Sequence, residues 1–308
     1  MVDYYEWSKD HIKYLYEKIQ SLKNDKLKTS PGDIWSVKKL LVLDYYLAAF
    51  VRIIRSVKSN FKNWYYVDPF CGSGLISFKD ELKDERFPGS PMVAALRAEE
   101  LPFTDYLLSD IDENTIKALS KRLLTNKKLV GNRTYDPQVM DFATSVGTIE
   151  KKKQFGNAFL IFIDPNGYKE IRWDLMKRLL NIETADIIFT FITSFIALNR
   201  SKADGDLETA KSLDAFFGDD EWTNYRGGEE LLALYRKKME TTGKKTFVIG
   251  VFMKGGSKLY DMILATRSSG GGKVVESATK IMESVSTELL RSSFEVVSKR
   301  RREITDYF

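Results

Sequence analysis

The amino-acid sequence predicts an α/β fold: a doubly wound, mostly parallel sheet with a C-terminal β-hairpin and added helices. Three observations predict it. From Trp64 onward, short apolar runs alternate with amphipathic stretches, as parallel strands joined by crossover helices require. The first run, WYYVD, leads through a proline into the glycine-rich DPFCGSG, a strand end of the kind where open sheets hold ligands. Late in the chain, KTFVIGVFM and SKLYDMILATRS flank Lys254-Gly255-Gly256, a short glycine turn that reads as a hairpin.

Residues 1–60 are helical in pattern and form a lead-in to a domain spanning 61–308. Tyr14, Leu15 and Ile19 share one helical face, and Leu40, Leu41, Leu43, Tyr46, Leu47 and Phe50 make a strongly apolar segment. After WYYVD and the glycine turn, the polar FKDELKDERF reads as a surface loop or short helix. In FPGSP, Ser90 suits an N-cap and Pro91 the first helical position, so a helix should begin there and bury Met92, Ala95 and Leu96. DYLLSD then reads as a strand, ENTIKALSKRLL as a helix, VMDFA as the end of a weaker strand, AFLIFID as a strand, IRWDLMKRLLNI as a helix and ADIIFTFI as a strand. Residues 200–243, rich in charge and broken by Gly218, Gly227 and Gly228, read as a helical insertion. Beyond the hairpin an amphipathic helix runs to the basic cluster Lys299, Arg300, Arg301 and Arg302.

Composition narrows the chemistry. The 308 residues hold one cysteine and one histidine, His11, which argues against a disulfide framework and against a zinc or iron–sulfur site built by this chain. Triad hydrolysis would have to use His11, which lies in an amphipathic helical segment. The net charge of +5 permits a polyanionic partner without demanding one. MVDYYEWSKDHIKY lacks the apolar core of a secretory signal, and the longest apolar stretch, Ala185 to Leu198, is interrupted and too short to span a bilayer. A cytoplasmic protein with no membrane partner is expected.

In an open parallel sheet the residues ending each strand matter most. The first strand ends in Asp68-Pro69-Phe70-Cys71-Gly72-Ser73-Gly74. The second ends in Asp110, placed to accept both hydroxyls of a ribose, with Asp112 two residues on. The third offers Asp141 as acceptor for an adenine amino group and Phe142 as an apolar wall. The fourth presents Asp164, Pro165, Asn166 and Tyr168. Asp112 and Asp141 equally suit helix N-caps, and a glycine pair equally suits an ordinary turn. The order of glycine turn, acid, acid and Asp-Pro at four successive strand ends favours a nucleoside-containing ligand.

These residues carry a resemblance. DPFCGSG followed by DP-x-x-aromatic resembles the first and fourth motifs of class I S-adenosylmethionine-dependent methyltransferases, especially those acting on nucleobase amino groups. More narrowly, WSVKKLLVLDYYL, YVDPFCGSG, PGSPMVAAL, FIDPNGYKEIRW and KLYDMILATRS resemble, in order, the pattern of the three-Cys-motif partner family, which is grouped with methyltransferase folds and named for a neighbouring cysteine-motif protein. The resemblance implies a Rossmann-like methyltransferase sheet, S-adenosylmethionine as cofactor, a nucleic acid (DNA or RNA) as substrate and a cysteine-motif protein as partner. It assigns Asp68, Pro69, Phe70, Gly72, Gly74, Ser90, Asp110, Asp112, Asp141 and Phe142 to the cofactor, with the glycine turn around the methionine, Asp110 on the ribose and Asp141 beside the adenine. By the same resemblance Asp164, Asn166 and Tyr168 would face the methyl acceptor. Asn166 stands where amino methyltransferases carry a second proline, and Gly167 precedes Tyr168.

Nitrogen suits this chain better than cytosine carbon as the methyl acceptor, because carbon methylation needs a cysteine at the acceptor loop and Cys71 sits in the cofactor turn. A nicotinamide oxidoreductase is a weaker alternative, since Gly72-x-Gly74-x-x-Ser77 lacks the third glycine of that fingerprint. A non-catalytic partner or nucleic-acid-binding protein that retains the fold is the other alternative. The charged segment 200–243, with Arg200, Lys202 and the basic tail, is expected to meet the substrate; a solvated helical insertion is the alternative.

Overall fold

The computed structural model describes residues 2–56, 61–79, 82–130, 134–252, 256 and 258–305. Its strands are β1 (Ser30–Gly32), β2 (Asn63–Asp68), β3 (Leu75–Phe78), β4 (Arg86–Pro88), β5 (Asp105–Asp110), β6 (Gln138–Val139), β7 (Asn157–Ile163), β8 (Ala185–Phe191), β9 (Lys245–Phe252) and β10 (Lys258–Thr266). Its helices are α1 (Tyr4–Lys18), α2 (Ile34–Ser56), α3 (Ser90–Leu96), α4 (Glu113–Thr125), α5 (Lys127–Val130), α6 (Phe142–Lys151), α7 (Trp173–Leu180), α8 (Thr193–Ala203), α9 (Leu207–Phe217), α10 (Gly228–Glu240), α11 (Gly271–Ser284) and α12 (Thr287–Thr305). A seven-stranded sheet runs in the order β6-β5-β2-β7-β8-β10-β9. The pairs β2–β7, β7–β8 and β5–β6 are parallel, and β10 is antiparallel to both β8 and β9. This is the doubly wound, mostly parallel sheet with a C-terminal hairpin that the alternating runs predict.

The chain divides into two compact units. The first comprises Met1–Val57, Cys71–Val139 and Glu276–Phe308. In it α1 packs on α12, with Tyr16 stacked on Phe294 at 4.1 Å between ring centroids. Part of the expected loop FKDELKDERF is strand instead: β3 pairs in parallel with β1 and antiparallel with β4. The pairing is close, because a Cβ on Gly32 would lie 2.7 Å from Ile76 Cδ1. Helix α3 starts one residue earlier than FPGSP suggests. Gly89 is its N-cap, held in extended backbone with its N–H donating to the Gly74 carbonyl at 2.8 Å, so the chain is already helical at Ser90.

The second unit comprises Lys58–Phe70 and Met140–Val275. Every residue of β7, NAFLIFI, is buried, as a continuous apolar run in a strand covered on both faces demands. Strand β10 is likewise buried from Tyr260 to Thr266 and lies between β8 and β9, while β9 shows the mixed exposure of an edge. Of the hairpin turn, Lys254 and Gly255 lie outside the described residues, as do the side chains of Arg300, Arg301 and Arg302. The insertion at 200–243 is helical. Gly218 ends α9 in the left-handed region at φ 86°, and Gly227 caps α10. Within it Phe216 stacks on Tyr235 at 4.7 Å, and both rings continue onto Phe191 of β8, so the insertion shares an aromatic cluster with the sheet.

Candidate cofactor and acceptor residues

Open parallel sheets bind ligands at the carboxyl ends of their strands, and in each unit the expected residues lie at or just beyond such ends. The first unit, taken by itself, holds the turn Cys71–Gly74 and the end of β5. Gly72 and Gly74 have φ of 61° and 87°, backbone that glycine adopts without strain. The turn is braced throughout. Cys71 N–H donates to the Ser109 carbonyl (2.9 Å), Gly72 N–H to Asp110 Oδ2 (3.1 Å) and Ser73 N–H to Ser30 Oγ (3.4 Å), while the Ser73 carbonyl accepts from Arg122 Nη1 (2.6 Å). Gly74 is required by packing as well as by φ, since a Cβ there would lie 2.8 Å from Leu119 Cδ1 and 3.0 Å from Met92 Cγ. The turn leads into β3 and not into a helix, so it lacks the helix N-terminus on which a dinucleotide fold seats its pyrophosphate.

Asp110 is half-buried, and its Oδ1 accepts the Asp112 N–H at 2.9 Å while Oδ2 holds Gly72. A carboxylate offers about four lone-pair sites, so Asp110 retains capacity for the two hydroxyls of a ribose. Asp112 caps α4, accepting from Thr115 N–H at 2.6 Å, and pairs with Lys28 Nζ at 2.8 Å. The Lys28 ammonium, followed by the Thr115 bonds, holds its carboxyl well below the usual carboxylate range. Ser90 is buried as the first residue of α3. Ile111, not singled out from the sequence, is 62% exposed beside Asp110. An apolar residue directly after a strand-ending acid was the available signal.

The second unit, taken by itself, holds the ends of β2 and β7 and the start of α6. Asp68 is fully buried, accepting from Tyr66 Oη–H at 3.1 Å and Phe70 N–H at 3.3 Å, and Pro69 beside it is also buried. Phe70 stacks on Phe142, ring centroids 5.4 Å apart, so the expected apolar wall is a packed pair of rings. Asp141 is exposed and caps α6 through Thr144 N–H at 2.8 Å; the Thr144 side chain, followed by this amide, lowers its pKa.

The residues expected on the acceptor side separate. Asp164 is half-buried at the end of β7 and Asn166 is exposed. Tyr168 is 1% exposed, with its Oη 2.7 Å from Ser212 Oγ and its ring beside those of Phe195 and Phe216, and burial raises its phenol pKa. That ring is in the core, because helix α9 supplies both a hydroxyl for its tip and an aromatic for its edge. A further cluster gathers where β8 ends. Thr193 Oγ1 and Lys258 Nζ both reach the fully buried Asp261, the latter at 3.0 Å, and Lys258 also pairs with Glu229 at 2.5 Å. Burial pushes the Asp261 carboxyl upward despite these partners.

The expected substrate role of Arg200 is corrected. Arg200 is 2% exposed; it donates to the Tyr225 and Thr223 carbonyls at 2.8 Å each and pairs with Asp204 at 2.7 Å, so its guanidinium is spent inside the insertion. His11 stacks on Trp7 and pairs with Asp44 at 2.5 Å, a helix-packing role. Among the described residues no group of three or more His, Cys, Asp or Glu is placed to hold a metal ion, and no helix is long and apolar enough to cross a membrane.

No family model matches the sequence, and no curated protein is significantly similar to it. Among solved structures the chain is similar to the Legionella pneumophila protein LPL1258, at 14% identity over 79% of this chain and 91% of that one, with a TM-score of 0.49. It is similar to magnesium protoporphyrin IX methyltransferase of Synechocystis with bound S-adenosylmethionine, at 12% identity over 87% and 99% of the two chains, TM-score 0.40. It is also similar to Trm1 of Pyrococcus horikoshii in complex with S-adenosyl-L-methionine, at 9% identity over 80% of this chain and 57% of that one, TM-score 0.39.

Proposed function

We propose that the chain is an S-adenosylmethionine-dependent methyltransferase acting on an exocyclic amino group of a nucleobase in DNA or RNA. The observation that carries this reading is Asp110, a half-buried carboxylate ending β5, which braces the glycine turn through Gly72 and keeps lone pairs for a ribose. The chemistry of the donor set fits the cofactor: Asp110 takes the ribose hydroxyls, Ile111 offers an apolar face to the adenine, and Gly72 brings bare backbone up to the methionine. When bound, the cofactor supplies an electrophilic sulfonium methyl group.

The chain's own contribution to transfer is alignment and electrostatics. Asp164 accepts an N–H of the substrate amine and aims the nitrogen lone pair, and its negative charge favours the nitrogen as positive charge develops there. Asn166, exposed two residues on, supplies an amide to the base edge. A base in a duplex must leave the stack to reach them. The three-Cys-motif partner resemblance adds a cysteine-motif protein as the associated partner.

One observation favours a second reading, a non-catalytic subunit that keeps the fold and its cofactor affinity. The burial of Tyr168 removes an aromatic ring from the acceptor segment. Incubating the full chain with methyl-labelled S-adenosylmethionine and separate DNA, RNA and protein pools decides between them. Label in nucleic acid is the expected result, cofactor binding without transfer to any pool supports the second reading, and absence of cofactor binding removes both.

A further inference from the structure

We infer that Arg122 is a positioning residue for the glycine turn, and that it makes the segment from Asp25 to Ser30 a working part of cofactor binding; this rests on reading Asp68–Gly74 as the cofactor loop. Arg122 projects from α4 and is 0% exposed. Its Nε and Nη2 each donate to Asp25 at 2.8 Å, Nη1 donates to the Lys28 carbonyl at 2.8 Å and to the Ser73 carbonyl at 2.6 Å, and Nη2 also reaches the Leu27 carbonyl at 3.3 Å. A guanidinium has five N–H donors in a rigid fork, and these bonds use all of them.

The turn needs such a grip. Ser73 lies between two glycines at positive φ, and a Gly-Ser-Gly backbone has many conformations to lose when a ligand arrives. Fixing the Ser73 carbonyl in advance moves that entropy cost from binding to folding. The same segment meets the turn again at Ser30, whose Oγ lies 3.4 Å from Ser73 N and 3.3 Å from Ser73 Oγ. It meets the start of α4 through Lys28, paired with Asp112 two residues beyond Asp110. A buried charge adds little net stability over a well-packed apolar residue. The choice of arginine here follows from what it holds in register: Asp25, Lys28 and Ser73.

Arg86 provides the internal control. It also donates to Asp25, at 2.7 Å, and to the Leu22 and Asp25 carbonyls at 3.2 and 2.9 Å, so it shares Asp25 with Arg122 but none of these bonds ends on the turn itself. A role confined to stability makes Arg122→Lys and Arg86→Lys behave alike. Positioning makes them differ. In the full-length protein, Arg122→Lys should weaken S-adenosylhomocysteine binding by about tenfold, the order for one lost charge-assisted hydrogen bond. Hydrogen exchange at Gly72 and Ser73, measured without cofactor, should be faster in that variant. Arg86→Lys should lose comparable thermal stability yet bind within about twofold of the parent, with parental exchange in the turn. Equal affinity and equal turn exchange in the two variants would overturn the inference. Should Arg122→Lys fail to fold, Ser30→Ala is read the same way, with faster Ser73 exchange expected and parental exchange refuting. A parent that binds no S-adenosylhomocysteine defeats the methyltransferase reading, while the exchange comparison still decides whether Arg122 sets the turn.

Discussion

Asp110→Ala tests the cofactor assignment most directly, because the structure gives this carboxylate two separable duties. Its oxygens hold the Gly72 and Asp112 amides at 3.1 and 2.9 Å. A charge-assisted hydrogen bond contributes about 1.5–3 kcal/mol when buried. Asp110 is only half-buried, so water can replace part of each bond and a total stability loss of about 1–2 kcal/mol is expected. Losing the ribose contacts should cost a further ~1–3 kcal/mol in binding, or about 5- to 150-fold in affinity for S-adenosylhomocysteine. Asp110→Asn keeps an acceptor and the shape but loses the charge, so its affinity should fall between parent and alanine variant. Titration calorimetry measures the affinities and urea unfolding in parallel measures the stability. A folded Asp110→Ala protein that binds S-adenosylhomocysteine as tightly as the parent would refute the ribose role and leave Asp110 as a brace for the turn.

Three other outcomes are expected. Gly74→Ala should destabilise the fold by about 2–4 kcal/mol, because φ of 87° and a Cβ 2.8 Å from Leu119 Cδ1 combine backbone strain with overpacking; a urea-derived loss below ~1 kcal/mol would show that α3 and α4 yield instead. Asp164→Ala should reduce methyl transfer at least about a hundredfold while leaving S-adenosylhomocysteine affinity intact, and equal single-turnover rates in variant and parent would reduce Asp164 to a turn residue. Burial pushes Lys244, whose Nζ donates to the Ile182 and Ala185 carbonyls, down to about 8 from 10.5. The unfolded chain therefore binds more protons than the folded one between those values, and the parent should gain about 3 kcal/mol relative to Lys244→Met as pH rises from 8 to 10.5; a constant difference across that window contradicts a depressed lysine.

Much of this fold is written locally. The apolar run in AFLIFID reads as a strand, and β7 is buried along its whole length, as a strand covered on both faces is. The acids before ENTIKALSKRLL and FATSVGTIEK suit helix caps, and Asp112 and Asp141 make those bonds. The glycines of the first strand end imply left-handed backbone, and both adopt it. Apolar periodicity, capping and φ preference act within a few residues, so one stretch of sequence suffices to read them.

Tertiary structure decided which polar groups are buried and which strands become neighbours. Strands β3 and β4 are too short to show a period, and β3 exists because Ser30–Gly32 runs beside it. The late hairpin is legible as a hairpin, but only the buried faces of β8 and β10 place its second strand inside the sheet and its first at the edge. Tyr168 is expected at the methyl acceptor, and the fold buries it with its hydroxyl on Ser212, 44 residues away. Arg122, which nothing in the helical pattern ENTIKALSKRLL singles out, is buried against Asp25, 97 residues away. A guanidinium enters a core only where its donors are met, and those acceptors come from segments brought together by the fold, so no local pattern marks the residue in advance.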